Sequence, residues 1–454
     1  MQASSDVGLA SIASHRFGYS EASLRTLQSD PRGWVLAQMA HPAPFDASGL
    51  INSADAITLT REVFKAARQT QSVTAKAAPM DELGTMTPSR QTLRQTNLRG
   101  LQRRWQHVVG TDTPVAERWV QFWANHFCVA ATKAATLALV WPHEYEAIRP
   151  HAFGDFKDLL RAAILHPAML LYLDNAQSIG PDSPAGLRRD KGLNENLARE
   201  LLELHTLGVN GGYSQHDVTQ AARLLTGWTI PPQADGQVSF VARLHQPGSK
   251  LVMGKTYPEG SQALDILLLN LSQSPACAKH LASKLARHFV ADDPPAELVA
   301  ALAQRFLESN GHLPALAQAL FSHPLAWSHA SPAKFKRPEE LLLSAHRLLK
   351  LPIGGVGGAA QALATMGQAV GRAPSPQGWP DRSEDWLSPD ALLKRVQWAG
   401  QFAQAHPGAA DARALARLAW GDSLSVSTAQ QIERAESGPQ ALALLLASPE
   451  FQRR

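Results

Sequence analysis

The side chains in this sequence best placed to do chemistry lie in the run 194–208, where Glu195, Arg199, Glu200 and Glu203 share one helical segment. At about 100° per residue, Leu193, Leu197, Leu201 and Leu204 form one apolar stripe. Glu200 falls between that stripe and Leu207, and Asn196, Arg199 and Glu203 continue round the same flank. A carboxylate wedged between leucines needs a partner or an altered pKa. Arg199 stands one turn from both Glu195 and Glu203 and can pair with either. Glu200 has no such partner in register, so it is the acid expected to titrate unusually. Two readings stay open: an Arg–Glu–Asn network that knits helices together, or an acid–base site.

His126 is the second candidate. Val115, Trp119, Phe122 and His126 share one helix face, with Asn125 at its edge. Burial among aromatic rings lowers the pKa of an imidazole. A neutral ring with one free nitrogen suits a general base or a metal ligand, and suits a satisfied core residue equally well. His245 and Lys250 flank Pro247-Gly248, a turn that either closes over a site or is an ordinary surface turn. In the enzyme reading, His126, Glu200 and Glu203 are catalytic, while Asn125, Asn196, Arg199, His245 and Lys250 bind or orient the substrate. The site then lies where the 114–129 and 194–208 helices meet, and a hydrolytic or metal-assisted reaction fits its groups. Glu203 and His205 project from different faces, so no metal-ligand set is assigned and no cofactor is specified.

The rest of the chain must position these groups. Of its 454 residues, 44% are hydrophobic and 18% charged, enough for a sizeable core. Lys plus Arg exceed Asp plus Glu only slightly (43 against 39), which argues against a nucleic-acid partner. Arg90, Arg94, Arg99, Arg103 and Arg104 form either a solvated helix face or an anion contact. Two cysteines exclude a disulfide scaffold or a cysteine-rich zinc site, and Cys128 reads as a core thiol. No apolar run reaches about 18 residues, so no membrane span is expected. The first residues lack an export signal, and the chain as encoded is expected in the cytoplasm.

Helix starts recur: Thr113-Pro114, opening a helix to about Val129, then Ser214-x-x-Asp217, Ser274-Pro275 and Ser388-Pro389. The expected fold is mainly α, a large multi-helix bundle forming one body over 1–454. Three stretches interrupt it. Residues 70–90 read as a mobile loop. Residues 238–241 and 251–253 read as one short β-hairpin excursion over about 235–256. Residues 354–382 are rich in Gly and Pro around a short alanine-rich helix.

Several segments together resemble one bacterial family, the domain of unknown function 1800. They are Phe122-Trp123-Ala124-Asn125-His126-Phe127, His166-Pro167-Ala168-Met169-Leu170 with Leu173-Asp174-Asn175, and the 194–208 run. Tyr213-Ser214-Gln215-His216-Asp217-Val218, Leu225-Thr226-Gly227-Trp228 and residues 245–254 continue the match. Lys284-Leu285, Lys336-Arg337-Pro338-Glu339 and Gly378-Trp379-Pro380 complete it. The resemblance implies a predominantly helical fold and no assigned activity. It also implies a partner, because the family's genes often stand beside those for alkaline-phosphatase-like or sulfatase-like proteins with export signals. Co-export to the periplasm and a binding or scaffold role therefore rival the enzyme reading. Gln246 stands where the family often has Asp, and His205 where it often has an aromatic residue. Neither position is expected to carry chemistry common to the family.

Overall fold

Small polar residues followed by proline start much of this fold, because proline at the first helical position loses no hydrogen bond and its neighbour caps the free N–H groups. The computed structural model describes residues 8–74, 88–188, 192–232, 235–328 and 333–454. The Ser274 hydroxyl accepts from Ala276 N ahead of the Pro275–Phe289 helix. Ser388 accepts from Ala391 N ahead of Pro389–Ala405. Ser214 and Asp217 form a reciprocal capping box on Gln215–Leu225. Thr113 departs from the pattern. Its hydroxyl accepts from Ala43 N, and the free Val115 N–H donates instead to Gln38 Oε1 at 2.9 Å. That helix, Pro114–His126, also stops short of 129, with Phe127 N donating to Trp123 O.

The fold is mainly α. Its β structure, among the described residues, is two antiparallel pairs of two strands each. The expected pairing of 238–241 with 251–253 is corrected. Ser239–Phe240 pairs with Trp228–Thr229 instead, and Lys250–Val252 pairs with Lys255–Tyr257. The second pair turns on Met253 and Gly254, both left-handed (φ 50° and 74°), as a two-residue hairpin requires. Pro247, lacking an N–H, lies between the pairs rather than at a hairpin tip. Of the loop expected at 70–90, residues 70–74 and 88–90 are helical, ending Ser53–Thr74 and beginning Pro88–Gly110. Residues 75–87 lie outside the described residues. The Gly/Pro-rich stretch does hold a helix, Val356–Thr365.

Two apolar cores form. The larger runs from Ala10 to Trp327 and centres on Trp119, Phe122, Trp123, Phe156 and Phe289. The second combines Leu101, Trp105 and Trp141 with 341–451. Buried ion pairs join them. Glu339 and Glu340 open the Pro338–Leu348 helix. Glu339 accepts from Arg104 and from Trp105 Nε1 on the Pro88–Gly110 helix. Glu340 accepts from Arg118 of Pro114–His126 at 2.9 Å and from Arg337 at 3.4 Å, with Arg454 at 3.3 Å. Arg104 also holds Glu144, Glu144 holds Arg149, and Arg149 holds Glu117. Arg104 is thus a buried ionic residue, not part of a solvated helix face.

Burial alone raises a carboxyl's pKa, yet Arg454, Arg337 and Arg118 hold Glu340 well below the usual range. Removing one member of a fully desolvated pair leaves its partners uncompensated. Glu340→Gln should therefore cost about 3–5 kcal/mol in denaturant unfolding, or abolish soluble expression. Glu384→Gln removes an exposed acid 3.9 Å from Arg382 and should change stability by less than about 0.5 kcal/mol.

Candidate functional site

The 194–208 run does not continue as one regular helix. It is α-helical over Asn196–Glu200 and widens to π geometry over Leu201–Thr206. Leu207 N donates to Leu202 O at 2.9 Å, one residue beyond the α spacing. The Thr206 hydroxyl also donates to Leu201 O at 2.7 Å. A wheel at 100° per residue therefore loses phase after Glu200. Glu195, Arg199 and Glu200 keep their expected relation, while Glu203 and His205 are displaced from it.

Arg199 pairs with Glu195 at 3.2 Å and also donates to Gln215 Oε1 at 3.0 Å. Asn196 is exposed, and its backbone N–H donates to Asn194 Oδ1. Glu203 is half-buried and accepts from the Tyr213 hydroxyl at 3.0 Å. Burial and that bond push the Tyr213 phenol up to about 12. Glu200 is also half-buried, and among the described residues its carboxylate accepts no hydrogen bond from the protein. Burial, then the Glu203 charge, raise its pKa, and Arg199 offsets this only in part. Tyr172 stands close enough to Glu200 for that charge to raise its phenol, after the larger effect of burial.

His126 does meet the 194–208 segment, but through the backbone. Its Nε2–H donates to His205 O at 3.1 Å, which leaves Nδ1 as the bare nitrogen, buried and without a partner. His205 is fully buried with neither ring nitrogen bonded, its ring edge-on to Phe127. His280 Nε2 donates to Leu204 O at 2.9 Å. The His126 ring lies 5.9 Å from His205 and 6.2 Å from His280, centre to centre. Burial, then Lys284, depress all three: His126 well below its usual value, His205 to about 3 and His280 to about 4. The positive charge acting on His126 is that of Lys284, while the charges acting on Glu200 are those of Glu203 and Arg199. The structure thus groups Glu200 with Glu203, and His126 with a histidine cluster. Among the described residues no three His, Cys, Asp or Glu side chains converge as a metal cage.

Asn125 clasps a loop. Its Nδ2 donates to Trp379 O at 2.9 Å and its Oδ1 accepts from Trp379 N at 2.8 Å. Gly378 is required there, since its φ is +83° and a Cβ would lie 2.4 Å from Asn125 O. The clasp brings Asp381 to His288, whose Nδ1–H donates at 2.7 Å. His288, then Arg337 and Lys334, hold the Asp381 carboxyl well below its usual range against the cost of burial.

His245 and Lys250 point inward rather than from a turn tip, and both are buried. His245 Nδ1–H donates to Thr226 O at 2.8 Å. Lys250 Nζ donates to His245 Nε2 at 2.8 Å and to Gln246 O at 2.5 Å. Burial lowers Lys250 to about 8. This chain of bonds pins the segment to the end of the Gln215–Leu225 helix and uses the polar atoms of both residues.

Residue-by-residue reading missed Tyr213, Tyr172, Lys284, His280 and the His288–Asp381 pair. Helical spacing gave no signal for Tyr213, which lies beyond the Gly208 stop. Only the family segments contained Tyr213 and Lys284, and without a role. A family model described as Protein of unknown function (DUF1800) matches residues 12–453. The chain belongs to the DUF1800 family. Neither a curated protein nor a solved structure matches it. In this DUF1800 protein no described helix is long and apolar enough to cross a membrane.

The neutral histidines make stability depend on pH. Below about 6.5 an unfolded histidine takes up a proton, while His205 and His280 in the fold stay neutral to about 3 and about 4. The unfolded state then binds more protons, so stability falls as pH falls. Melting temperature should drop steadily from about pH 7 to about pH 5. His205→Phe removes two unbonded buried nitrogens and should raise stability by about 1–2 kcal/mol, with a shallower acid slope. A lower melting temperature for this variant across the range contradicts the argument.

Proposed function

We propose that this DUF1800 protein is an acid–base hydrolase in which Glu200 is the proton donor and Glu203 the second carboxylate. One contrast carries the reading. The acids of the interior are answered by cations or N–H groups: Glu117 by Arg149, Glu144 by Arg104, Glu340 by Arg118, and Asp381 by His288. Among the described residues Glu200 alone of the half-buried or buried carboxylates is left without a protein donor, beside a second acid that raises its pKa. A purely structural acid in that position is a liability. A general acid needs such a position, since it must hold its proton nearer to neutral pH. Glu203, bonded to Tyr213, is the partner able to take a proton from water. Tyr213 and Arg199 line the same flank and suit a polar substrate. His126 is a positioning residue in this reading, because its bond to His205 O holds the wide turn that carries Glu203.

The test pairs activity with stability. A panel of chromogenic esters, phosphate esters and glycosides should yield one class that is turned over, with the alkaline limb of its pH profile shifted in Glu203→Gln. Glu200→Gln should reduce that turnover by about a hundredfold or more, while stability at neutral pH holds or rises, since no protein hydrogen bond is lost. Equal turnover by wild type and Glu200→Gln, or a loss of about 1–3 kcal/mol in the variant, defeats the reading.

A partner reading rests on a different face. On the Pro389–Ala405 helix Leu393 and Val396 are 57% and 55% exposed, next to exposed Leu387 and Leu392. Exposed apolar side chains one turn apart on a helix suit a protein contact. The alkaline-phosphatase-like proteins implied by the family's gene neighbours are the proposed partner, with co-export to the periplasm as its corollary. Leu393→Glu with Val396→Lys should abolish co-purification with that co-expressed protein and leave the melting temperature unchanged. Undiminished co-purification removes this face from the interface.

A further inference from the structure

A cleft of about 590 Å³ opens between the Ser53–Thr74, Pro88–Gly110 and Val356–Thr365 helices. Its volume sits inside the roughly 300–1,000 Å³ range of small-molecule sites. Val63, Leu93 and Leu101 form buried parts of its wall, and Phe64, 41% exposed, stands at its edge. On the opposite helix Gly357, Ala360 and Ala364 follow i, i+3, i+7 spacing and keep that wall low. The polar groups in the wall are largely committed. Asn97 donates to Leu137 O and accepts from Trp141 Nε1. Lys133 donates to Asp174 and to Tyr172 O, both at 2.7 Å.

Two charges are not committed. Arg94 and Arg372 both line the cleft, are exposed, and make no ion pair among the described residues. Among the described residues no aspartate or glutamate lines it. An apolar trough whose free charges are all guanidinium is complementary to an apolar chain ending in an anion. We propose that this cleft binds a single-chain amphiphile, its alkyl body against Leu93, Leu101 and Phe64 and its anionic head on Arg94 and Arg372. The head is a carboxylate or a phosphate monoester. This site is independent of Glu200, and its failure leaves the hydrolase reading untouched.

Binding is measured by titration calorimetry on the full chain with dodecanoate, with lysophosphatidate, and with dodecyltrimethylammonium, each below its micelle concentration. The first two arms separate a free fatty acid from a lipid phosphate head. At least one should bind saturably at one per chain, about tenfold or more tighter than the cationic amphiphile. Ala364→Trp places a ring in the trough from an exposed helix position and should remove that binding with the melting temperature unchanged. Arg94→Gln with Arg372→Gln should weaken the anionic ligand about tenfold and leave the cationic one unaffected. Should Ala364→Trp fold poorly, Ala360→Leu serves as the filling variant. The proposal is overturned by no saturable binding in the wild type, by equal affinity for anionic and cationic amphiphiles, or by full binding in a folded filled variant.

Discussion

The pair Glu339-Glu340 at the head of one helix is the constraint on which the rest of the structure depends. The two carboxylates are adjacent in sequence, and both are buried. Each is answered from a different direction, Glu339 by Arg104 and Glu340 by Arg118, Arg337 and Arg454. Taking such ions out of water costs several kcal/mol each unless every one is met by opposite charge at close range. The helices that bring Arg104 and Arg118 therefore have little freedom to move relative to the helix that brings the acids. Through Arg104, Glu144 and Arg149 the same constraint reaches Glu117, so Pro114–His126 is held at two points along its length. Asn125 and His126 at the end of that helix take their positions from it.

This lattice also explains why the histidines around His126 stay neutral. The nearby free charge is positive, from Lys284, and the core around them is aromatic. Nothing there stabilises an imidazolium. Beside the paired ionic network lies an aromatic region whose histidines are neutral, and Glu200 and Glu203 are less buried than either. The buried acids are met by opposite charge and help build the frame, while Glu200 on the half-buried flank is not.

Local signals in the sequence were strong where the physics is local. Ser214, Ser274 and Ser388 cap the helices they precede, because a cap needs only residues a few positions apart. The isolation of Glu200 from a cation was also readable, since the α turn holds up to that residue. Non-local physics was not readable. Arg104 looked like one more arginine on a basic helix, and its partner Glu339 lies 235 residues away. Ser239–Phe240 pairs with Trp228–Thr229 rather than with the other nearby strand, a choice that alternation alone does not make. His245 and Lys250 looked exposed because Pro247-Gly248 usually marks a surface turn, yet Thr226 O offered them an acceptor inside.

The widened turn at Leu201–Thr206 ties the position of the second acid to the length of the segment. An α-helix that gains one residue without losing its ends must absorb the extra length somewhere, and a π segment is the form that absorption takes. A relative lacking that residue would run as plain α-helix, with everything after Glu200 rotated by about 100°. Its second acid would then leave the flank shared with Glu200. The spacing between the two glutamates, more than either glutamate alone, thus decides whether they share a flank.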